Sequence, residues 1–177
     1  MSCKQKVEHN KLEEKAKEAK SYCVKNKMNT EYAILIDMSI HSGKTRFFVY
    51  DFNKALVVDS GLVCHGTCKH QYRTETPEFS NVPESYCSSI GKYKIGKRGW
   101  SSFGIHVNYK LHGLETTNSN AYDRLIVLHS WGMSDTETYP KMAPESWGCP
   151  VVSENFMKRL DERLKKTTEP TLLWIYQ

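Results

Sequence analysis

Hydrophobic positions from residue 32 onward come in short runs of β-branched and aromatic residues, a pattern that predicts strands. Tyr32–Asp37 and Thr45–Asp51 are two such runs, joined by the turn residues 41–44. Ala55–Val58 and Gly61–Val63 together predict a third strand with a bulge. Further strands are predicted near Ile105–Leu111, Leu125–Leu128 and Thr171–Tyr176. The first three strands form a meander, so we expect an antiparallel sheet.

Two other stretches repeat their hydrophobic residues with the period of a helix. Leu12, Ala16, Ala19 and Cys23 fall on one face of a helix predicted from about residue 10 to 26. Phe156, Leu160 and Leu164 do the same within Ser153–Lys166, where Ser153 is the expected N-cap. Residues 1–30 are therefore predicted to be a basic helical tether, and residues 31–177 a single folded domain. Residues 64–104 are rich in Gly, Ser, Pro, His and Cys and predict a long loop.

The positive charge of the chain is concentrated at its start. The net charge is +5, but residues 1–27 contain eight Lys and four Glu and so contribute +4. The remaining residues are nearly neutral and offer no basic stripe for a nucleic acid. No run approaches the roughly 18 apolar residues of a membrane span, and residues 1–30 have no apolar signal segment.

Six cysteines at positions 3, 23, 64, 68, 87 and 149 leave the disulfide pairing open. Cys3 is either the lipidated residue of a bacterial lipoprotein or an incidental cysteine at a cytosolic start. With Cys3 and Cys149 set aside, four cysteines allow three pairings, and only a disulfide-permissive compartment would use them.

A histidine and a cysteine twenty positions apart have the chemistry of an acyl-transfer site. Cysteine is nucleophilic as a thiolate, and the His129 imidazole could take the proton of the Cys149 thiol. Gly148 leaves room for a substrate carbonyl, and the N–H groups of Gly148 and Cys149 could face the developing oxyanion. The alternative is a buried, inert thiol beside a structural histidine.

Short motifs follow one another in a definite order between residues 32 and 170. They are His65-Gly66, Phe79-Ser80-Asn81, the serines of 85–89, Ile90-Gly91, Gly113-Leu114-Glu115, Asn118, Arg124, and His129 followed by Ser146-Trp147-Gly148-Cys149-Pro150. In their order and spacing they resemble the murein L,D-transpeptidase catalytic-domain family of bacterial cell-wall enzymes. The common signature of that family has a second histidine where this chain has Trp147, which places the chain with a Ser-Trp-Gly-Cys-Pro branch.

The resemblance implies a mainly β fold, an antiparallel β-sandwich or barrel-like L,D-transpeptidase catalytic fold with peripheral helices. It also implies acyl transfer on peptidoglycan stem peptides without a cofactor or metal. Cys149 would form a thioester, with His129 as the base and the Ser130 carbonyl orienting the imidazole. A second stem's amine would then give a 3–3 cross-link, and water would give L,D-carboxypeptidase activity. The expected location is the bacterial cell envelope, periplasmic, with a lipid anchor at Cys3 as one alternative.

Five residues are predicted to bind substrate: Trp147, Ser146, Arg124, Asn81 and Ser80. Ser80 and Asn81 have an equally ordinary role in the turns of the loop. Arg124 could instead form a structural ion pair with Asp123 or Glu115.

Two other functions compete with this interpretation. Cys64, Cys68 and His70 have a spacing within the range of zinc ligands, so a non-catalytic zinc-binding module is the main alternative. A papain-like peptidase is disfavoured because there the cysteine precedes the histidine, and here His129 comes first.

Overall fold

The computed structural model describes residues 3–177, with side chains described from Asn10 onward. The elements, in chain order, are α1 (Cys3–Lys25), β1 (Tyr32–Asp37), β2 (Phe47–Asp51), β3 (Leu56–Gly61), β4 (Gly91–Trp100), β5 (Val107–Gly113), β6 (Val127–Ser130), β7 (Val151–Val152), α2 (Glu154–Leu164) and β8 (Leu172–Tyr176). The eight strands form one sheet in the order β3-β2-β1-β8-β4-β5-β6-β7.

Most neighbouring strands in this sheet are antiparallel, but β1 with β8 and β6 with β7 are parallel pairs. The two outer strands are linked by the chain that follows β3. The Cys64 N–H donates to the Val151 carbonyl at 3.1 Å, and a bridge joins Gly66 to Ser146. This linkage makes the sheet barrel-like, and the predicted mainly β fold class is confirmed.

Helix α2 packs on one face of the sheet. Its apolar residues Phe156, Met157, Leu160 and Leu164 are buried in the main hydrophobic core. The Ser153 hydroxyl accepts a hydrogen bond from the Phe156 N–H at 3.2 Å, which confirms the predicted N-cap. The main core therefore lies between α2 and the sheet.

Helix α1 covers the opposite face of the sheet. Leu12, Ala16, Ala19 and Cys23 are buried beside Trp174 and other residues of the central strands. Because β1 and β8 are then covered on both faces, all of their residues are buried. The helix starts earlier than the sequence predicts, and the Cys3 side chain lies outside the described residues. The division into residues 1–30 and 31–177 stays a prediction.

Three elements near the site differ from their predictions. Strand β4 lies inside the predicted loop, where lysines and glycines mask the alternation of buried Tyr93 and Ile95. Strand β6 starts two residues late because Leu125 has a positive φ of 57° and belongs to a turn. His129 is therefore inside the strand, and the two-residue β7 has no sequence signal of its own. No helix among the described residues is long and apolar enough to cross a membrane.

Candidate active site

The pairing of β6 with β7 brings His129 and Cys149 to one region. His129 lies opposite Val151, and Cys149 is two residues before Val151. The Val127 N–H donates to the Cys149 Sγ at 3.4 Å. Val127 and His129 share one face of β6, because side chains two residues apart in a strand point the same way. The thiol and the imidazole thus lie along the same short stretch of strand.

His129 is held in one orientation by the next residue. Its Nδ1 lies 3.2 Å from the Ser130 carbonyl oxygen, so this nitrogen must carry the proton and Nε2 is the free basic nitrogen. Burial lowers the pKa of His129 below its ordinary 6.5, and the Ser130 carbonyl opposes this shift. The Phe103 ring packs against the imidazole at a centroid distance of 5.6 Å. The imidazole is therefore neutral at neutral pH and available as a base.

Cys149 rests as a neutral thiol. Its hydrogen-bond partners among the described residues are the Val127 N–H and, at 3.9 Å, the Leu125 carbonyl, not His129. Burial raises the pKa of Cys149 above its ordinary 9.0, although the Val127 N–H and the charge of Arg124 act in the opposite direction. Thiolate formation at neutral pH thus requires a base, and His129 is the nearby candidate.

The turn that carries Cys149 is built by Ser146. The Ser146 Oγ accepts a hydrogen bond from the Gly148 N–H at 3.1 Å and donates to the Cys149 carbonyl at 2.6 Å. Gly148 has a φ of 106°, and a Cβ there would lie 2.6 Å from the Cys87 carbonyl oxygen, so no other residue fits. The sequence predicted two N–H groups that could face an oxyanion, those of Gly148 and Cys149. The Gly148 N–H already donates to Ser146, so only the Cys149 N–H has no partner among the described hydrogen bonds.

Two cavities meet at His129 and Cys149, which form the candidate catalytic dyad. The main groove, about 750 Å³, is lined by His129, Cys149, Arg124, Trp147 and Trp100 together with neighbouring residues. The side pocket, about 390 Å³, shares His129, Cys149 and Trp147 and adds Trp131 and Val151. Of the predicted substrate-binding residues, Arg124, Trp147 and Ser146 line one or both cavities.

Ser80 and Asn81 use their polar groups to hold the loop. Asn81 donates to the Thr116 carbonyl and to the Ser119 Oγ, both at 3.0 Å, and its side-chain oxygen accepts from the Asn120 N–H. The Ser80 Oγ accepts from the Val82 N–H at 3.1 Å. Neither residue is among those that line the main groove. Their contacts match the turn role that the sequence left open.

Arg124 also forms hydrogen bonds that hold this loop in place. Its guanidinium donates to the carbonyls of Ser80 and Cys87 at 2.8 and 2.7 Å. It also donates to the hydroxyls of Ser89 and Ser85 at 2.6 and 3.2 Å. Glu115 instead pairs with Lys92 at 2.8 Å. Arg124 therefore joins the loop to the turn that precedes β6, and its charge lies near the thiol.

We expect Arg124→Ala to lower the free energy of unfolding by about 2–3 kcal/mol, because two backbone carbonyls lose charged donors in a partly buried site. Arg124→Lys keeps the charge but not the planar fork and should have an intermediate effect. Urea denaturation measures both. The matched control is Arg73→Ala, since Arg73 is exposed and has no hydrogen bond among the described residues. Equal effects of Arg124→Ala and Arg73→Ala would contradict the assigned role.

A buried network lies below the turn that carries Cys149, and nothing in the sequence predicted it. Arg46 is fully buried and donates to the Val63 carbonyl and to His65 Nδ1, at 2.9 and 3.0 Å. The His65 carbonyl in turn accepts from the Ser146 N–H at 2.9 Å. Burial and the charge of Arg46 lower the pKa of His65 to about 4. His65 is thus a neutral structural residue that supports the turn.

A disulfide joins Cys68 to Cys87 and leaves Cys23, Cys64 and Cys149 as free cysteines. It uses Cys68, one of the three residues of the alternative zinc module. His70 pairs with Glu78 at 3.1 Å, and Cys64 is buried and hydrogen bonds toward the Cys149 carbonyl. No group of three or more potential metal ligands occurs among the described residues. The geometry gives the zinc alternative no support.

The neutral state of both dyad residues predicts the pH dependence of the site. Protonation of His129 removes the base, so turnover should fall as the pH drops through a value below 6.5. In His129→Ala, the reaction of Cys149 with iodoacetamide should rise only at a pH above 9.0, because burial raises the pKa of this thiol. Ultraviolet absorbance of the thiolate provides a direct check. A thiolate signal from Cys149 at neutral pH would contradict a neutral resting pair.

Comparison with known sequences gives one clear match. A sequence model of the L,D-transpeptidase catalytic domain matches residues 3–176, which is nearly the whole chain. The comparison with curated proteins gives no significant match.

One solved structure shares the fold at low sequence identity, and a second is similar with a lower score. The helical cell shape determining protein Pgp2 from Campylobacter jejuni is 9% identical with a TM-score of 0.54, over 82% of this chain and 47% of that one. An L,D-transpeptidase from Xylanimonas cellulosilytica is 13% identical with a TM-score of 0.48, over 82% of this chain and 60% of that one. The chain therefore spans about half the length of the Campylobacter protein.

Proposed function

Because the chain belongs to the L,D-transpeptidase catalytic-domain family, we propose that it transfers acyl groups of peptidoglycan stem peptides through a Cys149 thioester. The observation that carries the proposal is that His129 and Cys149 lie together in one groove. His129 is locked by the Ser130 carbonyl with its basic nitrogen free, and Cys149 lies beside the same strand in the same groove. A fixed base next to a thiol is what nucleophilic catalysis by cysteine requires.

In the first step, His129 Nε2 takes the thiol proton while the Cys149 sulfur attacks the carbonyl of the third stem residue. The Cys149 N–H stabilises the negative charge that forms on the carbonyl oxygen. The peptide C–N bond then breaks, and His129 returns its proton to the leaving amine of the terminal D-amino acid. The product of this half-reaction is a thioester between Cys149 and the shortened stem.

The thioester is resolved by a nucleophile that enters after the D-amino acid has left. The amine of a second stem gives a 3–3 cross-link, and water gives the L,D-carboxypeptidase product. His129 accepts a proton from either nucleophile, so the same residue serves both outcomes. Cys149 lines both cavities, which supports a thioester that an incoming nucleophile can reach.

We also propose that the protein works in the cell envelope. The Cys68–Cys87 disulfide supports this location, because structural disulfides persist in oxidising compartments. A lipid anchor at Cys3 belongs to the same proposal. It is tested by expression of the native gene and mass spectrometry of the membrane fraction. A protein that fractionates with the cytosol would contradict the envelope location.

Incubation with a disaccharide-tetrapeptide, followed by mass spectrometry of protein and products, tests the proposed reaction. The expected products are a disaccharide-tripeptide and, where cross-linking occurs, a dimer that lacks one terminal D-amino acid. A transient adduct on Cys149 should accompany them. Unchanged substrate in the presence of folded protein, over a range of substrate concentrations, would contradict the proposal.

A further inference from the structure

Two tryptophans on the rim of the main groove have no role in the proposed chemistry. Trp100, at the end of β4, and Trp147, before Gly148, are each 74% exposed. Both line the same groove as Cys149. Large exposed aromatic side chains that share one groove usually mark a binding site, since leaving them in water costs free energy.

Each of the two indoles is supported on one side by another ring. Trp147 stacks on Tyr86 with a centroid distance of 5.3 Å and an angle of 22° between the rings. Trp100 lies parallel to His106 at 6.3 Å and 3°. His106 is fixed in turn by bonds to Ser101, with Nδ1 3.1 Å from the Ser101 carbonyl. Each indole is therefore held beside a second ring while most of it stays exposed to solvent.

The side chains around the rings are polar, and several lack partners. Glu84 and Asp123 line the groove and form no ion pair among the described residues. Ser102 is exposed on the same rim. Carboxylates and hydroxyls of this kind accept and donate hydrogen bonds to hydroxyl groups. The rim thus combines flat apolar faces with hydrogen-bonding groups at their edges.

We propose that this rim is a saccharide platform, in which Trp100 and the Trp147–Tyr86 pair stack on pyranose rings of an N-acetylhexosamine strand. A pyranose has an apolar face of C–H groups, which packs on the negative face of an indole, and hydroxyls around its edge. The proposal rests on the proposed function, because it places the sugar of the substrate beside the peptide that Cys149 attacks. It adds recognition of the glycan to recognition of the stem.

The charges of the groove favour a saccharide over other ligands. An anionic membrane surface is attracted by clustered Lys and Arg, whereas here Glu84 and Asp123 offset Arg124 and Lys110 in the lining of the groove. A stable protein partner usually meets a core depleted of charged residues, and here carboxylates lie among the rings. A neutral strand with many hydroxyl donors matches both the rings and the carboxylates.

Calorimetric titration with a β-linked N-acetylglucosamine tetramer tests the platform. The tetramer has no stem peptide and cannot be turned over, so its binding is measured with the unchanged protein and does not depend on the proposed reaction. We expect measurable binding that Trp100→Ala weakens about tenfold, the order expected for losing one ring contact. Tyr72→Ala is the matched control, because Tyr72 is 82% exposed and does not line the groove.

A kinetic test with the active protein separates glycan binding from a general effect on the site. The ratio of kcat/KM for disaccharide-tetrapeptide to that for free tetrapeptide should fall about tenfold in Trp100→Ala. A merely structural effect lowers both values and leaves the ratio unchanged. No binding of the tetramer, equal binding by Trp100→Ala, or an unchanged ratio would each overturn the proposal. So would binding to vesicles of neutral lipid that Trp100→Ala abolishes, since the rim would then be a membrane contact.

Discussion

Cys149→Ser is expected to abolish turnover of disaccharide-tetrapeptide, with a loss on the order of 10⁴-fold or more. A serine hydroxyl is far harder to deprotonate than a thiol, and the site offers a single imidazole whose pKa burial has already lowered. Among the described residues, the hydrogen-bond partner of His129 Nδ1 is the neutral Ser130 carbonyl and not a carboxylate. The loss should appear in kcat measured by product release.

The same variant should keep its fold. Serine is close in size to cysteine and can still accept a hydrogen bond from the Val127 N–H, so the free energy of unfolding should change by about 1 kcal/mol or less. Cys23→Ala is the matched control, since Cys23 is on the buried face of α1, in the core between that helix and the sheet. It should lose some stability and keep its turnover. Substantial turnover by folded Cys149→Ser would remove the thioester mechanism.

The sequence predicted most of the sheet because its central strands carry strong apolar runs. Tyr32–Asp37 and Thr171–Tyr176 are covered on both faces, and such strands are the easiest to recognise. β4 was hidden because one face of it is exposed and carries lysines, and because its glycines weaken a strand signal. The two-residue β7 exists only through its pairing with β6, a long-range contact that no local pattern reveals.

The sequence predicted which residues form the candidate site, but not the hydrogen bonds that hold them. The sequence pointed to His129, Cys149 and the Ser130 carbonyl, and the structure brings these three together. It could not show that the Ser146 hydroxyl uses the Gly148 N–H, because that bond depends on the backbone of the turn. The role of Arg46, which holds His65 below the turn, could not be predicted either. Arginine is usually exposed, whereas Arg46 is fully buried.

Carbapenem acylation should depend on His129 as strongly as turnover does. The Cys149 sulfur attacks the lactam carbonyl, the lactam C–N bond breaks, and the thiol proton passes through His129 to the lactam nitrogen. The adduct therefore carries the mass of the whole carbapenem, once per chain. We expect His129→Ala to slow its formation by about 10²–10⁴-fold at neutral pH, the range typical of losing a general base. Intact-mass spectrometry over time gives the rate, and peptide mapping gives the site.

His112→Ala provides the matched control for this loss. Burial and the charges of Lys94 and Lys110 lower the pKa of His112 as well, but this residue stacks on Tyr122 and does not line the main groove. A general effect of removing an imidazole would slow both variants, whereas the dyad requires a loss in His129→Ala alone. The defect should also shrink as the pH rises above 9.0, because the Cys149 thiol then ionises without a base. Adducts spread over Cys64 and Cys23, or a rate that is the same in both variants, would show that Cys149 and His129 do not act as one site.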